Sequence, residues 1–378
     1  MAETERRKLI DNIKENGGIA LRNQELKEHA NGIKFLINKN YVLDGLLEAS
    51  KKYMLLIIPE LEDTFLEEKK GKELKFEHTE SEFIKCLNGI AVYLGKKLSF
   101  PLLYGGSGFG FMTNVHEGLF PRGEFGWNIE RIFPLIENLG LQVNLVGMVD
   151  GDTSQDEKEK IESLIKSGID SNIPHIIISD NHCQVIVGYS DFCFYLKPAT
   201  VWTVPQFTTG TWEEYSEEKR VSVYKIVDTN ATDEKTIYLE ALEAAVNMRE
   251  NISSWINPPF HGGIEAYDVY VESLKKAHEA NPTGKGIEGL RVNSFFNVHF
   301  ENRAMVSKFF AEMQELPLLS DEAKELTASL EKNFRREGKH LRSVQTRTYE
   351  KIEQVKEQYL ASLENMKKLI EIMKKTKN

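Results

Sequence analysis

The sequence predicts an α+β protein, with a mixed core lying between helical regions at the two ends of the chain. Apolar residues fall at helical spacing over residues 1–75 and again from 231 onward. Between them, residues 174–227 hold four short apolar runs separated by turn residues, the mark of strands. Strands spaced this tightly pair as antiparallel hairpins. The expected divisions are therefore 1–75, a helical N-terminal segment; 76–230, the α+β core; and 231–378, a helical C-terminal domain.

Bulk properties narrow the function classes. At 378 residues the chain is long enough for more than one core. Its 41% apolar and 28% charged content is that of a globular protein with a soluble surface. A net charge of -10, with no basic patch interleaved with aromatic residues, argues against nucleic acid as a partner. Neither a secretory leader nor a run of roughly 18 apolar residues is evident, so a cytoplasmic location away from membranes is expected. Three cysteines, Cys86, Cys183 and Cys193, do not make a disulfide framework or a C-x-x-C metal site. His116, Glu117, His175, His261 and Glu265 lack the spacing of a metal centre, and neither a metal nor a cofactor is expected.

Taken in chain order, Leu9, Ile10 and Ile13, then Leu43, Leu46, Leu47, Tyr53 and Met54, mark N-terminal helices, and the charged stretch 67–82 forms a connection. Phe83, Leu87, Ile90, Ala91 and Leu94 set the apolar face of the next helix, with Cys86 on the same side. Thr79-Glu80-Ser81-Glu82 fits a capping box with Thr79 as N-cap, although a start nearer Lys85 is also compatible. A glycine-rich loop, YGGSGFGF at 104–111, follows. Strands are expected at 141–149, 174–179, 182–189, 192–197 and 220–227, with a helix at 155–168. Alternation along 182–189 places His182, Gln184, Ile186 and Gly188 on one face and Cys183, Val185, Val187 and Tyr189 on the other. Near the C-terminus, Leu341, Val344, Thr348, Ile352, Val355, Tyr359, Leu363, Met366, Ile370 and Met373 form a long heptad-like stripe. It would face either the chain's own domain or a second copy, as a homodimer through the C-terminal helices.

Cys86 has two readings from its surroundings alone: a small apolar core residue, or a nucleophile beside a loop built for close backbone approach. The glycine loop has G-x-x-G-x-G spacing and no following Lys-Ser/Thr, which excludes the common nucleotide-binding patterns. No G-x-S-x-G elbow is present for serine chemistry.

The order of these features carries a resemblance. A cysteine on an amphipathic helix, the GGSGFGF segment, a helix, G-x-x-x-x-x-P before a strand, then HCQVIVGY and a further strand with a Pro-containing turn resembles the papain-like cysteine peptidase fold. More narrowly, it resembles the butirosin biosynthesis protein H family, which has a helical C-terminal region. The likeness covers residues 79–228 by motif; beyond 235 it lies in character only, including GGIEAY at 262–267 and ENRAMVSKFF at 301–310. The resemblance implies a central helix packed on an antiparallel sheet, with Cys86 as nucleophile and His182 as base. It also implies transfer of an aminoacyl or acyl group from a thioester, as on an acyl carrier protein, to an amine on a small molecule. Hydrolysis, as a peptidase or amidase, and a non-catalytic binding role are the alternatives.

Where relatives carry the acid that orients the histidine, this chain has Lys197 in 196-LKPA-199, and a lysine cannot accept a hydrogen bond. Asp191 is the replacement chosen, with Asp180 as the other candidate. Many relatives have histidine before the cysteine, and here Lys85 stands there. Gly105, Gly106, Ser107, Gly108 and Phe109 are expected to line the thiol pocket and bind substrate.

Overall fold

The computed structural model describes residues 79–119, 126–179, 183–189, 194–198, 208–210, 221–283 and 287–376. The expected N-terminal helices, along with His182, Asp191, Asp180 and Cys193, lie outside the described residues. The fold is α+β. It divides into two compact units, one containing Asn144–Ile226 and the other combining Phe76–Val143 with Val227–Asn378. The unit boundaries at 75/76 and 226/227 lie close to the expected 75/76 and 230/231, and the expected core is divided at 143/144, its first part, with the Cys86 helix and glycine segment, clustering with the C-terminal helices.

Along the chain, α1 spans Glu82–Tyr93 and α2 Phe100–Gly106, followed by a 3-10 turn at Phe109–Phe111 and the short β1, Asn114–Val115. Helix α3 is Phe133–Asn138 and β2 is Leu141–Val149. Helix α4, Gln155–Asp170, opens on a full capping box in which Ser154 and Glu157 satisfy each other's backbone N–H groups. Strands β3 (His175–Ser179), β4 (Cys183–Tyr189), β5 (Phe194–Pro198), β6 (Thr208–Gly210) and β7 (Val221–Asp228) follow. Then come α5 (Glu234–Glu250), β8 (His261–Gly262), α6 (Ala266–Ala280), α7 (Ile287–Gln314), α8 (Asp321–Gln345) and α9 (Lys351–Lys375). No described helix is long and apolar enough to cross a membrane.

In the first unit the larger sheet runs in the order β2-β7-β3-β4-β5-β6, and β3 pairs antiparallel with both β4 and β7. Helix α4 covers one face through Ile161, Ile165 and Ile169, which pack on Ile177, Ile186, Val221 and Val223. His175 lies under this helix, where a Cβ at Gly168 would come within 2.0 Å of the imidazole. The other face is buried as well, at Ile176, Cys183, Val185, Tyr224 and Ile226.

Simple alternation fails at one point. The β4–β5 register shifts between Ile186 and Gly188, and this bulge turns Tyr189 to the α4 side. There its hydroxyl donates to Asp170 at 2.9 Å and its ring lies 5.3 Å from the Lys166 ammonium. Tyr189 thus parts from Cys183 and Val185, contrary to the strand pattern.

In the second unit, α7, α8 and α9 form a helical stack. The heptad stripe is not one continuous helix: it breaks at 346–350, where Arg347 takes a left-handed φ of 74°. Leu341 and Val344 on α8, and Ile352, Val355 and Tyr359 on α9, join one buried cluster with Tyr267, Tyr270 and Leu274 of α6. The stripe therefore packs within its own chain, and a period near 3.5 reflects helix packing on two successive helices rather than one long coil.

Candidate active site

Helix α1 is buried at every residue from Glu82 to Ala91, the pattern of a helix enclosed on all sides rather than laid on a surface. Its N-cap is Ser81, whose hydroxyl accepts from Ile84 N–H at 3.2 Å, and not Thr79 as the capping box suggested. Thr79 is instead used in tertiary bonding. Its hydroxyl donates to Glu301 Oε2 at 2.8 Å and touches the Tyr104 hydroxyl, so it is not available to close the helix end.

With Glu82 as the first helical residue, Cys86 is the fifth, in the second turn. The N-terminal dipole fades within the first turn and contributes little there. Cys86 is 0% exposed and is not in a disulfide. Its neighbour Lys85 is only 5% exposed, and burial lowers its pKa against the opposing influence of Cys86 and the carboxylates of Glu82, Glu80 and Glu301.

The segment expected to be a glycine loop is largely helical. Gly105 and Gly106 close α2, Ser107 is its C-cap, and Gly108 takes a φ of 79° to redirect the chain into the 3-10 turn. All five residues assigned to substrate binding are buried. The close approach that glycine permits is made to other helices: a Cβ at Gly105 would sit 2.1 to 2.6 Å from the Phe309 ring of α7, and one at Gly110 would meet Val306 at 2.5 Å. Phe109 stacks on Phe83 of α1 at 5.8 Å and on Trp127 at 5.3 Å. The structure thus brings the glycine segment against the Cys86 helix, through aromatic packing.

The far end of that segment is held by a group absent from the sequence-based site. Arg303 of α7 is fully buried and spends all five N–H donors: Nε on Glu337, Nη1 on the carbonyls of Gly110 (3.1 Å) and Met112 (3.0 Å), and Nη2 on Thr113 and on Tyr267 (3.2 Å). Tyr267 in turn donates to Glu337 Oε1 at 2.5 Å, and burial next to that carboxylate raises its pKa. Removing one partner from such an enclosed ion pair strands the other without compensation.

The adjoining cavity, lined in part by Thr113, Tyr267, His299 and Arg303, has a volume of about 10 Å³. That is space for one water and not for a substrate. His261 Nε2 lies 3.8 Å from Glu117 beside the β1–β8 ladder, but among the described residues no three metal-ligating side chains gather into a site. Lys197 pairs with Val185 in the β4–β5 ladder, confirming only that it belongs to the strand after the expected histidine.

No protein-family model and no curated protein matches this chain.

Proposed function

We propose that Cys86 and His182 form the thiol–imidazole pair of a papain-like cysteine enzyme, similar to the butirosin biosynthesis protein H family, acting in a biosynthetic pathway. The observation that supports this most is the setting of Cys86: a helix buried on every face, packed through Phe83 against Phe109 of the glycine segment. The antiparallel sheet adds support, since β4 begins at the residue after His182 and pairs on both sides.

In this reading His182 takes the thiol proton, and the Cys86 sulfur attacks the carbonyl carbon of a thioester. The carbonyl–sulfur bond to the donor breaks, and the imidazolium returns its proton to the departing thiol. An amine then attacks the acyl-enzyme, the Cys86 sulfur leaves, and the amine proton passes through His182 back to the thiol. The same intermediate met by water would be hydrolysed, which is the peptidase or amidase alternative. Asp191 would orient the imidazole, and an acyl carrier protein would present the donor.

The 0% exposure of Cys86 favours a second reading, a binding protein on a degenerate cysteine-peptidase fold, because an enclosed thiol is ordinarily inert. Intact-mass measurement after incubation with acyl thioesters separates the two. A mass increase mapping to Cys86, lost in Cys86→Ala and depleted by added amine, is the expected result. Absence of any adduct on a protein whose thiol can be alkylated would leave the binding reading.

A further inference from the structure

We propose that the exposed face of α8 is a docking surface for an acidic segment of a partner protein. Lys332, Arg335, Arg336, Lys339 and Arg342 all stand exposed there. At 3.6 residues per turn they fall within an arc of about 120° and run for about 15 Å along the helix. The opposite side, with Leu330, Phe334, Leu341 and Val344, is buried in the helical unit. The only acidic residue from 332 to 345 is Glu337, which is fully buried against Arg303.

Two ordinary explanations of such a stripe fall short. A helix favours cations at its C-terminus, but that influence fades within the last turn and so reaches only Arg342. Surface cations are also commonly matched by carboxylates, as on α9, where Lys356 pairs with Asp268, Lys367 with Glu250 at 2.7 Å and Lys374 with Glu243 at 2.7 Å. On α8, Arg335 reaches Glu331 at 3.4 Å, while Lys332, Arg336 and Lys339 form no ion pair among the described residues. Their three- and four-residue spacing sets like charges side by side, which destabilises a helix, in a chain with 58 acidic residues against 48 basic ones to draw on. His340, on the flank of the stripe, feels the same field: after burial, the charges of Lys351, Lys339 and Arg336 lower its pKa, and Glu357 opposes them. An anionic partner removes this repulsion. A nucleic acid or a membrane would carry its charge well past the stripe and meet the rest of a chain with net charge -10, and no large apolar residue of α8 is exposed for stacking or insertion. A short run of carboxylates matches the stripe in both charge and length.

The test uses the full-length protein and a fluorescein-labelled oligoglutamate peptide, with binding read by fluorescence anisotropy at low and high salt. Binding that weakens as salt rises is expected. Lys332→Glu combined with Lys339→Glu should weaken it by about tenfold or more. Lys158→Glu combined with Lys160→Glu on α4 makes the same change in net charge and should leave binding close to wild type. Lys332→Gln with Lys339→Gln, which removes the two charges without reversing them, should give a smaller loss in the same direction. Absence of peptide binding overturns the proposal, and so does an equal loss in the α8 and α4 charge reversals, which would report net charge alone. Tighter binding to duplex DNA or to phosphatidylserine vesicles than to the peptide also overturns it, by giving the face to a nucleic acid or a membrane.

Discussion

Helices α1 and α4 are each opened by a serine N-cap, yet they are used in opposite ways. Helix α4 shows the sheet one apolar stripe, Ile161, Ile165 and Ile169, and gives the remainder to water. Helix α1 has no exposed face between Glu82 and Ala91, and it encloses Glu82 and Lys85 along with its apolar residues. A helix that merely covers a sheet needs only one side matched to its partner. Enclosing Glu82 and Lys85 costs solvation, a cost that α4 with its solvated polar faces does not carry.

The contrast is open to measurement. Leu87→Ala on α1 removes a fully buried side chain and should lower stability in urea unfolding by about 2–5 kcal/mol, whereas Leu164→Ala on α4, at 47% exposure, should stay within about 0.5 kcal/mol. Equal losses would erase the distinction between the helices. Next in size is an acid sensitivity on the α4 side. Burial beneath α4 is the main reason the His175 pKa is lowered to about 4. The unfolded chain, with an ordinary value near 6.5, binds the proton first as pH falls. Stability contributed by neutral His175 is thus intact above about pH 6.5 and declines toward pH 4, by on the order of 3 kcal/mol. His175→Phe should flatten that part of the pH–stability curve, and a curve unchanged by the substitution would remove His175 as its source.

The smallest effect concerns the caps. Ser154→Ala breaks a reciprocal capping box and Ser81→Ala the cap bond from Ile84 N–H, so losses of about 1 kcal/mol are expected, the larger at Ser154 where the box is reciprocal. Thermal melts of the two variants, compared at equal protein concentration, test the order.

Much of the sheet unit was legible because its signals are local. Residues 141–149 form β2 as expected, and β3, β4 and β7 start within a residue of their predicted positions. Period-2 alternation and turn residues suffice when neighbours in sequence are also neighbours in space. Tyr189 departs because a bulge adds a half-step that no propensity announces. In the helical unit the decisive partners are remote. Whether Thr79 caps α1 depended on Glu301 and Tyr104, and whether YGGSGFGF was a loop depended on Phe309 and Val306 filling the places of absent side chains. The glycines were read correctly as sites of close approach, but sequence could not say that helices would be what approached. Arg303 and Glu337 stayed hidden for the same reason, since nothing near either residue announces an enclosed ion pair.

The Arg303 contacts also impose an order on the chain's birth. The carbonyl of Gly110 receives its guanidinium donor from a residue made 193 positions later, and Glu337 arrives later still. At synthesis rates of about 5–20 residues per second, residues 110–113 wait roughly 10–40 s for that partner. All of 144–226 is made during the interval, so the sheet unit can complete its short-range pairings while the helical unit that brackets it is still unfinished. A nascent chain halted before residue 303 should therefore expose the glycine segment, and that interval is when this protein would most need protection from aggregation.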